Sequence, residues 1–571
     1  MTAPLIIMIV TFVGYVIAYK TYGRFIAQKL FQLNPNNKVP AIEQADGKDF
    51  IASKKEVTFG HHFTSIAGTG PIVGPAIGII WGWVPALLWV FLGSIFMGAV
   101  HDFSALVISM RHQGRSISDI TGDLISKKVR LMFFCIVFLA LLIVIAIFGM
   151  IIAIIFDTFP TSVIAVWIEI PIAIVFGFWG LKKKSNLLLA TSIAVIGLYL
   201  FVWVGYQFPI SLASFDNIPI TGTWTIILLV YAFIASVLPV DLLLQPRDYL
   251  NAWQLYISIA LVLLGIVITG LTGQLEFVAP AVNLDPKGAP PILPFLFITI
   301  ACGALSGFHC LICSGTTAKQ IESEKDAQLV GFGSMLTEGA LAIVVIIAVA
   351  AGIGIAYPYN GEKLVGIDAF QIHYSSWQAS AGLGSKLTAV VIGMANMMNS
   401  FGIPIGFGAA IVGVFIASFA GTTLDSATRV QRYVISELMT NLNIKRFNNK
   451  WVATSIAVLT ALVLAFSSGI DGKGALTLWP LFGAVNQLLG GLALLVATVY
   501  LNKRVGIYSL VTAIPCVLIM IMTMWASGLN QWFFILSKQY VLIIINGLIL
   551  LMSLVISLET LKVIGNKQNG N

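Results

Sequence analysis

Charge is what this chain has least of. Its 571 residues carry 24 acids and 32 bases, 10% in all, where a water-soluble domain carries about 25%. No long polar stretch separates the apolar runs between residues 3 and 562, so no soluble catalytic or nucleic-acid-binding domain has room to fold. Cysteine is also scarce. Cys135, Cys302, Cys310, Cys313 and Cys516 lie in apolar runs, an odd number without a metal-cage spacing, which excludes a disulfide framework; they read as small packing hydrophobes. No GxxxxGK[ST] loop is present to cradle ATP phosphates, and neither GxSxG nor HExxH is present to hydrolyse a substrate. The first helix lacks a basic leading segment and a small-residue cleavage site, so it reads as a retained span rather than a secretory signal.

What remains is hydrophobic: 58% of the residues, with a mean hydropathy of +0.95. A helix needs about 20 apolar residues to cross the hydrocarbon. That ruler gives an all-α polytopic membrane protein of about fifteen spans, near 3–19, 59–80, 85–110, 131–156, 161–180, 187–206, 224–244, 251–272, 291–313, 329–357, 402–421, 452–467, 475–500, 506–527 and 540–561. Residues 387–400 (LTAVVIGMANMMNS) are apolar as well, but a crossing there would reverse the charge pattern downstream. They read as a re-entrant hairpin ending at Gly402-Ile403-Pro404. The net charge of +8 then reports orientation rather than a nucleic-acid partner. On this count 27 of the 32 Lys and Arg fall on one face, leaving Lys287, Lys363, Lys386, Lys473 and Lys538 on the other; the positive-inside rule places the N-terminus outside and the C-terminus in the cytoplasm.

A weak repeat hints at how the spans are arranged. Residues 62–69 read HFTSIAGT and residues 309–316 read HCLICSGT, and the two segments run in opposite directions through the predicted topology, as inverted repeats do. Both carry helix breakers at membrane depth: Gly68, Thr69, Gly70 and Pro71 in the first, Ser314, Gly315, Thr316 and Thr317 in the second. Unsatisfied backbone in hydrocarbon costs several kcal/mol per group, so such breaks survive where they line a cavity or pack against protein. In transporters they build the substrate site; the plainer reading is close packing through small residues. Gly68, Thr69, Gly70, Pro71, His309, Ser314, Gly315 and Thr316 are the candidate substrate-binding residues.

Ionisable groups inside spans are costly and are functional candidates by default. Glu169 lies mid-span before Pro171, Glu338 a third of the way into the span from 329, and Asp102 at the end of the span from 85, beside His101. Such acids suit proton coupling. In the alternative, Thr422, Thr423, Asp425 and Ser426, in the most polar helical run attached to a span, offer oxygens to sodium, and Asp425 with Arg429 forms an i,i+4 pair. His61 and His62 open one span while His101 and Asp102 close another, yet the spacing is poor for ligands and no metal or other cofactor is expected. His112 and His373 read as surface residues, and Arg247 with Asp248 as a helix-end latch.

The runs FGHHFTSIAGTGPIVGPAIG (59–78), GAVHDF (98–103), PRDYL (246–250), ACGALSGFHCLICSGTTAKQ (301–320) and TTLDSATRVQRY (422–433) resemble the carbon starvation protein A (CstA) family. The resemblance covers the chain from the first helix to about residue 500. It implies a bacterial or archaeal inner-membrane transporter of peptides or pyruvate during carbon starvation, with a LeuT-like inverted-repeat core and H+ or Na+ as the coupling ion. Residues 1–375 correspond to an N-terminal region holding broken helices at 59–80 and 291–318, residues 385–530 to a C-terminal bundle, and 531–571 to the last helix and tail. One departure stands out: seven spans rather than five separate the starts of the two broken helices, as if two had been inserted, for instance within 224–272. A membrane sensor of carbon supply is the reading from another class. The implied partners are a small-molecule solute and the bilayer; nothing points to nucleic acid or to an oligomeric state.

Overall fold

The computed structural model describes residues 1–182, 186–214, 217–441, 444 and 449–568. Among them, eleven helical runs are long and apolar enough to cross a membrane, or twelve when the bent pair Lys55–Ala67 and Gly70–Trp81 counts as one span. The chain is a multi-pass helical membrane protein, because only a helix satisfies its own backbone polar groups in lipid within a single segment. One run, Lys473–Leu536, contains two 27-residue helices, Trp479–Val505 and Leu510–Leu536. Among the described residues, beside an isolated bridge between Ser53 and Ile321, the named strands form one small antiparallel hairpin, Tyr357–Tyr359 with Glu362–Leu364. Asn360 and Gly361 turn it, both at positive φ (50° and 82°), the residue pair that a two-residue hairpin turn favours.

Two predicted spans, and the apolar segment read as a re-entrant hairpin, are resolved differently. The span placed at 224–244 is a helix from Ile220 only to Val237; Leu238 is extended ahead of Pro239, and the next helix begins at Leu244 and runs to Leu271. The span at 291–313 is two short helices, Ile292–Thr299 and Gly307–Gly315, with non-helical backbone between them. The break in the second repeat therefore sits at residues 300–306, and Ser314 to Thr316 mark the end of the second piece. Residues 387–399 of the apolar segment lie within one 17-residue helix, Leu383–Asn399, buried for most of its length, and Ser400 caps its end.

The 37-residue helix Ile405–Asn441 organises the bundle, packing against Lys127–Thr158, Lys55–Ala67, Leu244–Leu271 and Leu383–Asn399. Small residues allow the closest approaches. A Cβ on Gly352 would stand 2.7 Å from the Gly393 carbonyl, and one on Gly393 would overlap the Ala348 carbonyl, so the Leu383–Asn399 helix rides directly on the backbone of the helix that carries Glu338. Asn396 fastens it there by donating to the carbonyls of Gly352 (3.0 Å) and Ala356 (2.5 Å). From the same cap, residues 366–399, the Tyr374 hydroxyl donates to the Ala76 carbonyl. Lys386 Nζ, fully buried, donates to the His373 carbonyl (2.6 Å) and lies 3.6 Å from the centroid of the Tyr374 ring. His373 is buried too, 3% exposed, and so is not the surface residue its sequence suggested, whereas His112 is partly exposed.

At the opposite end, residues 46–54 lace several elements together. Ile51 and Ser53 N–H groups donate to the carbonyls of Lys319 and Gln320, and Val240 N–H to that of Lys48. Asp49 accepts from Arg429 (3.0 Å), Arg432 (3.4 Å) and Tyr433 (2.5 Å). Burial alone would raise the Asp49 carboxyl, but Arg432 and Arg429 hold it below the usual carboxylate range. Arg429 thus pairs with Asp49, 380 residues away in sequence, and not with Asp425 as the i,i+4 spacing suggested.

Candidate functional site: two buried polar clusters at the helix breaks

The first break begins where Gly68 takes a φ of +48° and Thr69 one of −97° with ψ near zero, after which Gly70-Pro71 start a new helix. Proline at the first turn costs no hydrogen bond, since its N–H would be an orphan there. No side chain fits at either glycine: a Cβ on Gly68 would overlap Thr423 Oγ1, and one on Gly70 would overlap Cys302 Sγ. The first break therefore touches the Ile405–Asn441 helix on one side and the second break, at 300–306, on the other.

At the second break Gly303 has a φ of +88°, and a Cβ there would stand 2.8 Å from Ala342 Cβ. Its N–H, outside any helix, donates to Glu338 Oε1 at 2.9 Å, which answers the demand that buried backbone donors find a partner. Further along, Phe308 N–H donates to Asn486 Oδ1 (2.8 Å), and Asn486 Nδ2 donates to Ser306 Oγ (3.0 Å). A helix far along the chain thus caps the start of Gly307–Gly315.

One buried cluster gathers around this break. His309 Nδ1 lies 2.9 Å from Asp102 Oδ2, and His101 Nδ1 lies 2.7 Å from Asp102 Oδ1. His309 Nε2 faces Glu338 Oε2 at 3.3 Å. His62 takes a separate partner, Thr317 Oγ1, at 2.8 Å. Ser314, Gly315 and Thr316 lie beyond the cluster, where Gly315 packs on Val430 and Ser314 Oγ accepts from Ile117 N–H at 3.2 Å.

The second cluster surrounds Arg247, which is 4% exposed and belongs to the Leu244–Leu271 helix. Its guanidinium donates to Asp425 (2.5 Å), to the Tyr231 hydroxyl, to Thr422 Oγ1 (3.0 Å) and to Asp248 (3.4 Å), and stands 3.5 Å from Glu169. Glu169 also accepts from the Ser418 hydroxyl at 2.7 Å. Asn251 Nδ2 donates to Thr422 Oγ1 (3.1 Å), and His61 Nδ1 lies 2.5 Å from Asp248 Oδ2. The cluster reaches the first broken helix through Ser65, whose hydroxyl lies 3.0 Å from that of Ser426 and whose carbonyl accepts from Thr423 at 3.3 Å. Of the four residues considered for sodium, Thr423 and Ser426 therefore reach the first broken helix, while a guanidinium lies against Thr422 and Asp425.

The sequence placed most of these acids and hydroxyls as candidates. It passed over Arg247, counted as a helix-end latch, and also Asn251, Asn486 and Cys302. The available signal for Arg247 was an Arg-Asp pair carried into a long apolar helix, since such residues at depth are buried against partners.

One prediction follows from the first break. Replacing Gly70 with Leu drives a side chain into Cys302, overpacking of a kind that costs about 1–3 kcal/mol, and removes the contact between the two breaks. Solute uptake is expected to be lost while membrane insertion, read by fractionation, is retained. Wild-type uptake in this variant would reduce the break to packing.

A profile of the family described as carbon starvation protein CstA matches residues 3–526. The peptide transporter CstA of Campylobacter jejuni is 35% identical over 554 residues, covering 90% of this chain and 78% of its own. The pyruvate/proton symporter BtsT of Escherichia coli is 33% identical, covering 93% of this chain and 83% of its own. The peptide transporter CstA of the same organism is 32% identical, with coverages of 90% and 79%.

Proposed function

The chain belongs to the carbon starvation protein CstA family, and from that premise we propose that it is a secondary active transporter, not an enzyme, importing a peptide or pyruvate on a proton gradient. The observation that carries the choice of ion is Arg247. A cation tethered to the protein lies against the Thr422 and Asp425 oxygens that a sodium ion would need, and two like charges a few ångströms apart in a low-dielectric interior repel strongly. The same cluster supplies a carrier for the proton. Asp425, Asp248 and Glu169 surround one guanidinium, and Glu169 stands farthest from it. With Asp248 also facing His61, Asp425 and Glu169 are left sharing the one arginine, and a proton on Glu169 relieves the excess negative charge. The solute then binds where the breaks meet, at Thr69, Gly70, Pro71 and the 300–306 segment, with Gly68 abutting the Asp425 helix.

The test is uptake of labelled pyruvate and of small peptides into proteoliposomes with proton and sodium gradients imposed separately. Accumulation is expected with an inward proton gradient and no sodium. Accumulation driven by sodium alone would overturn the assignment.

The finer architecture belongs to the same reading. Counting the bent pair as one span, the two helices of 473–536 separately, and adding the broken 292–315 and the short Lys450–Ala465 gives fifteen crossings. In a LeuT-like core the Leu244–Leu271 helix is a member of the first repeat, since it packs along both Lys55–Ala67 and Ile405–Asn441; the two inserted helices then fall among those between 160 and 237. Residues 366–399 are the outer cap. The segment 385–530 would include the C-terminal bundle. The protein sits in the cell membrane of a bacterium or archaeon with its N-terminus outside and C-terminus inside. Impermeant thiol reagents should then reach cysteines placed at Asn217 and Asn360 in intact cells and miss one at Asn36; labelling of Asn36 and Asn217 from the same side would refute the topology.

A further inference from the structure

We propose that Cys302, His309 and Glu338 form a binding site for a borderline-soft divalent cation of the zinc type. The site lies at the second break, and the argument is independent of the solute and of the coupling ion. Thiolate, imidazole and carboxylate are the ligand types that zinc takes, in four-coordinate sites that leave one position open when the protein supplies three.

The geometry is close to that of a site. The Cys302, His309 and Glu338 donor atoms all lie within 4.8 Å of one another. Bonds of about 2.0–2.3 Å at tetrahedral angles put ligand pairs about 3.3–3.6 Å apart. His309 Nε2 and Glu338 Oε2 already stand 3.3 Å apart, so a small adjustment of the Cys302 side chain completes the set. Both atoms are buried and make no hydrogen bond. The two atoms meet as an ion pair off hydrogen-bond geometry, and a cation ligated by both would satisfy each of them.

The surroundings point the same way. A metal-binding histidine almost always gives its other ring nitrogen to a carboxylate, which fixes the tautomer and raises the basicity of the ligand nitrogen. His309 Nδ1 does so to Asp102 at 2.9 Å, and Asp102 is itself steadied by His101 at 2.7 Å. The second oxygen of Glu338 is held by Gly303 N–H at 2.9 Å. Asn486 Nδ2 lies 3.9 Å from Cys302 Sγ and orients the sulfur. Each ligand is thus oriented from behind by a group that does not compete for the metal. The fourth position is left to water or a solute atom. On binding, the Cys302 thiol releases its proton and the sulfur bonds the metal.

The probe is Co2+, then Zn2+, added to the full-length protein purified in detergent and stripped with a chelator. Co2+ is expected to bind with one equivalent of high affinity and to show a thiolate-to-metal charge-transfer band with the visible bands of a tetrahedral site. Cys302→Ser should lose the charge-transfer band, although Cys310, Cys313, Cys135 and Cys516 remain. Asp102→Asn, which leaves all three ligands in place, should weaken binding about 10- to 100-fold. Thermal unfolding of the unmodified protein serves as a second measurement that needs no variant: its midpoint should rise with Zn2+ and not with Mg2+. Absence of a charge-transfer band together with no Zn2+-specific rise in that midpoint would overturn the site, leaving the 3.3 Å His309–Glu338 approach as a shared-proton contact.

Discussion

Replacing Arg247 with Met is expected to destabilise the protein by about 3–5 kcal/mol, the usual cost of removing one partner from a buried ion pair. The cost arises from what is left behind. Asp425, Asp248 and Glu169 all face the guanidinium at 3.5 Å or less, and only Asp248 has a second basic neighbour, His61. The Tyr231 hydroxyl and Thr422 Oγ1 lose a donor as well. Methionine fills much of the same volume, so the loss is electrostatic and not a cavity effect. Thermal or denaturant unfolding in detergent measures it, and Arg247→Met combined with Asp425→Leu should recover part of the loss because the pair is then removed together. A single-variant cost below about 1 kcal/mol, the range of an exposed pair, would contradict the buried network. Arg247→Lys is expected to be poorly tolerated too, since a point charge cannot replace a planar fork that reaches several acceptors.

The second large effect concerns Glu169. Glu169→Gln keeps the shape and an oxygen for the Ser418 hydroxyl, which lies 2.7 Å away, but removes the exchangeable proton. Each pH unit across the membrane is worth about 1.4 kcal/mol per proton, a tenfold accumulation, and that is the part of uptake expected to vanish. Exchange of labelled for unlabelled solute, which needs no net proton movement, should persist. Proteoliposomes assayed with and without a pH gradient separate the two. Undiminished gradient-driven accumulation in the variant would take the proton away from this carboxylate.

Long crossings were legible in the sequence because hydropathy over about 20 residues reports burial in lipid directly. The first break was legible for a local reason also: Gly68-Thr69-Gly70-Pro71 combines positive φ with a helix start. The second break was misplaced because Ala301 to Gly307 is built from small and apolar residues that leave the hydropathy high. What unwinds it is tertiary: Glu338 and Asn486 take up the backbone N–H groups of Gly303 and Phe308. Partner choice was the least legible feature. Arg247 and Asp425 are 178 residues apart and Arg429 and Asp49 are 380 apart, while the pattern in sequence offered a nearer, cheaper pair at i,i+4. Spacing rules describe an isolated helix in water; in a bundle, the scarcity of buried charges dictates which ones meet.

The position of Arg247 also bears on how such a carrier responds to voltage. A guanidinium fixed to a buried helix is charge that never crosses the membrane, so the net charge moved per cycle is that of the solute plus its protons alone. One proton with a monoanion such as pyruvate is electroneutral, and accumulation would follow the pH gradient and ignore the membrane potential. One proton with a zwitterionic peptide moves one positive charge inward, and the potential then adds about 2.3 kcal/mol per 100 mV. Voltage sensitivity is therefore a property that the solute, not the protein, confers on each turnover.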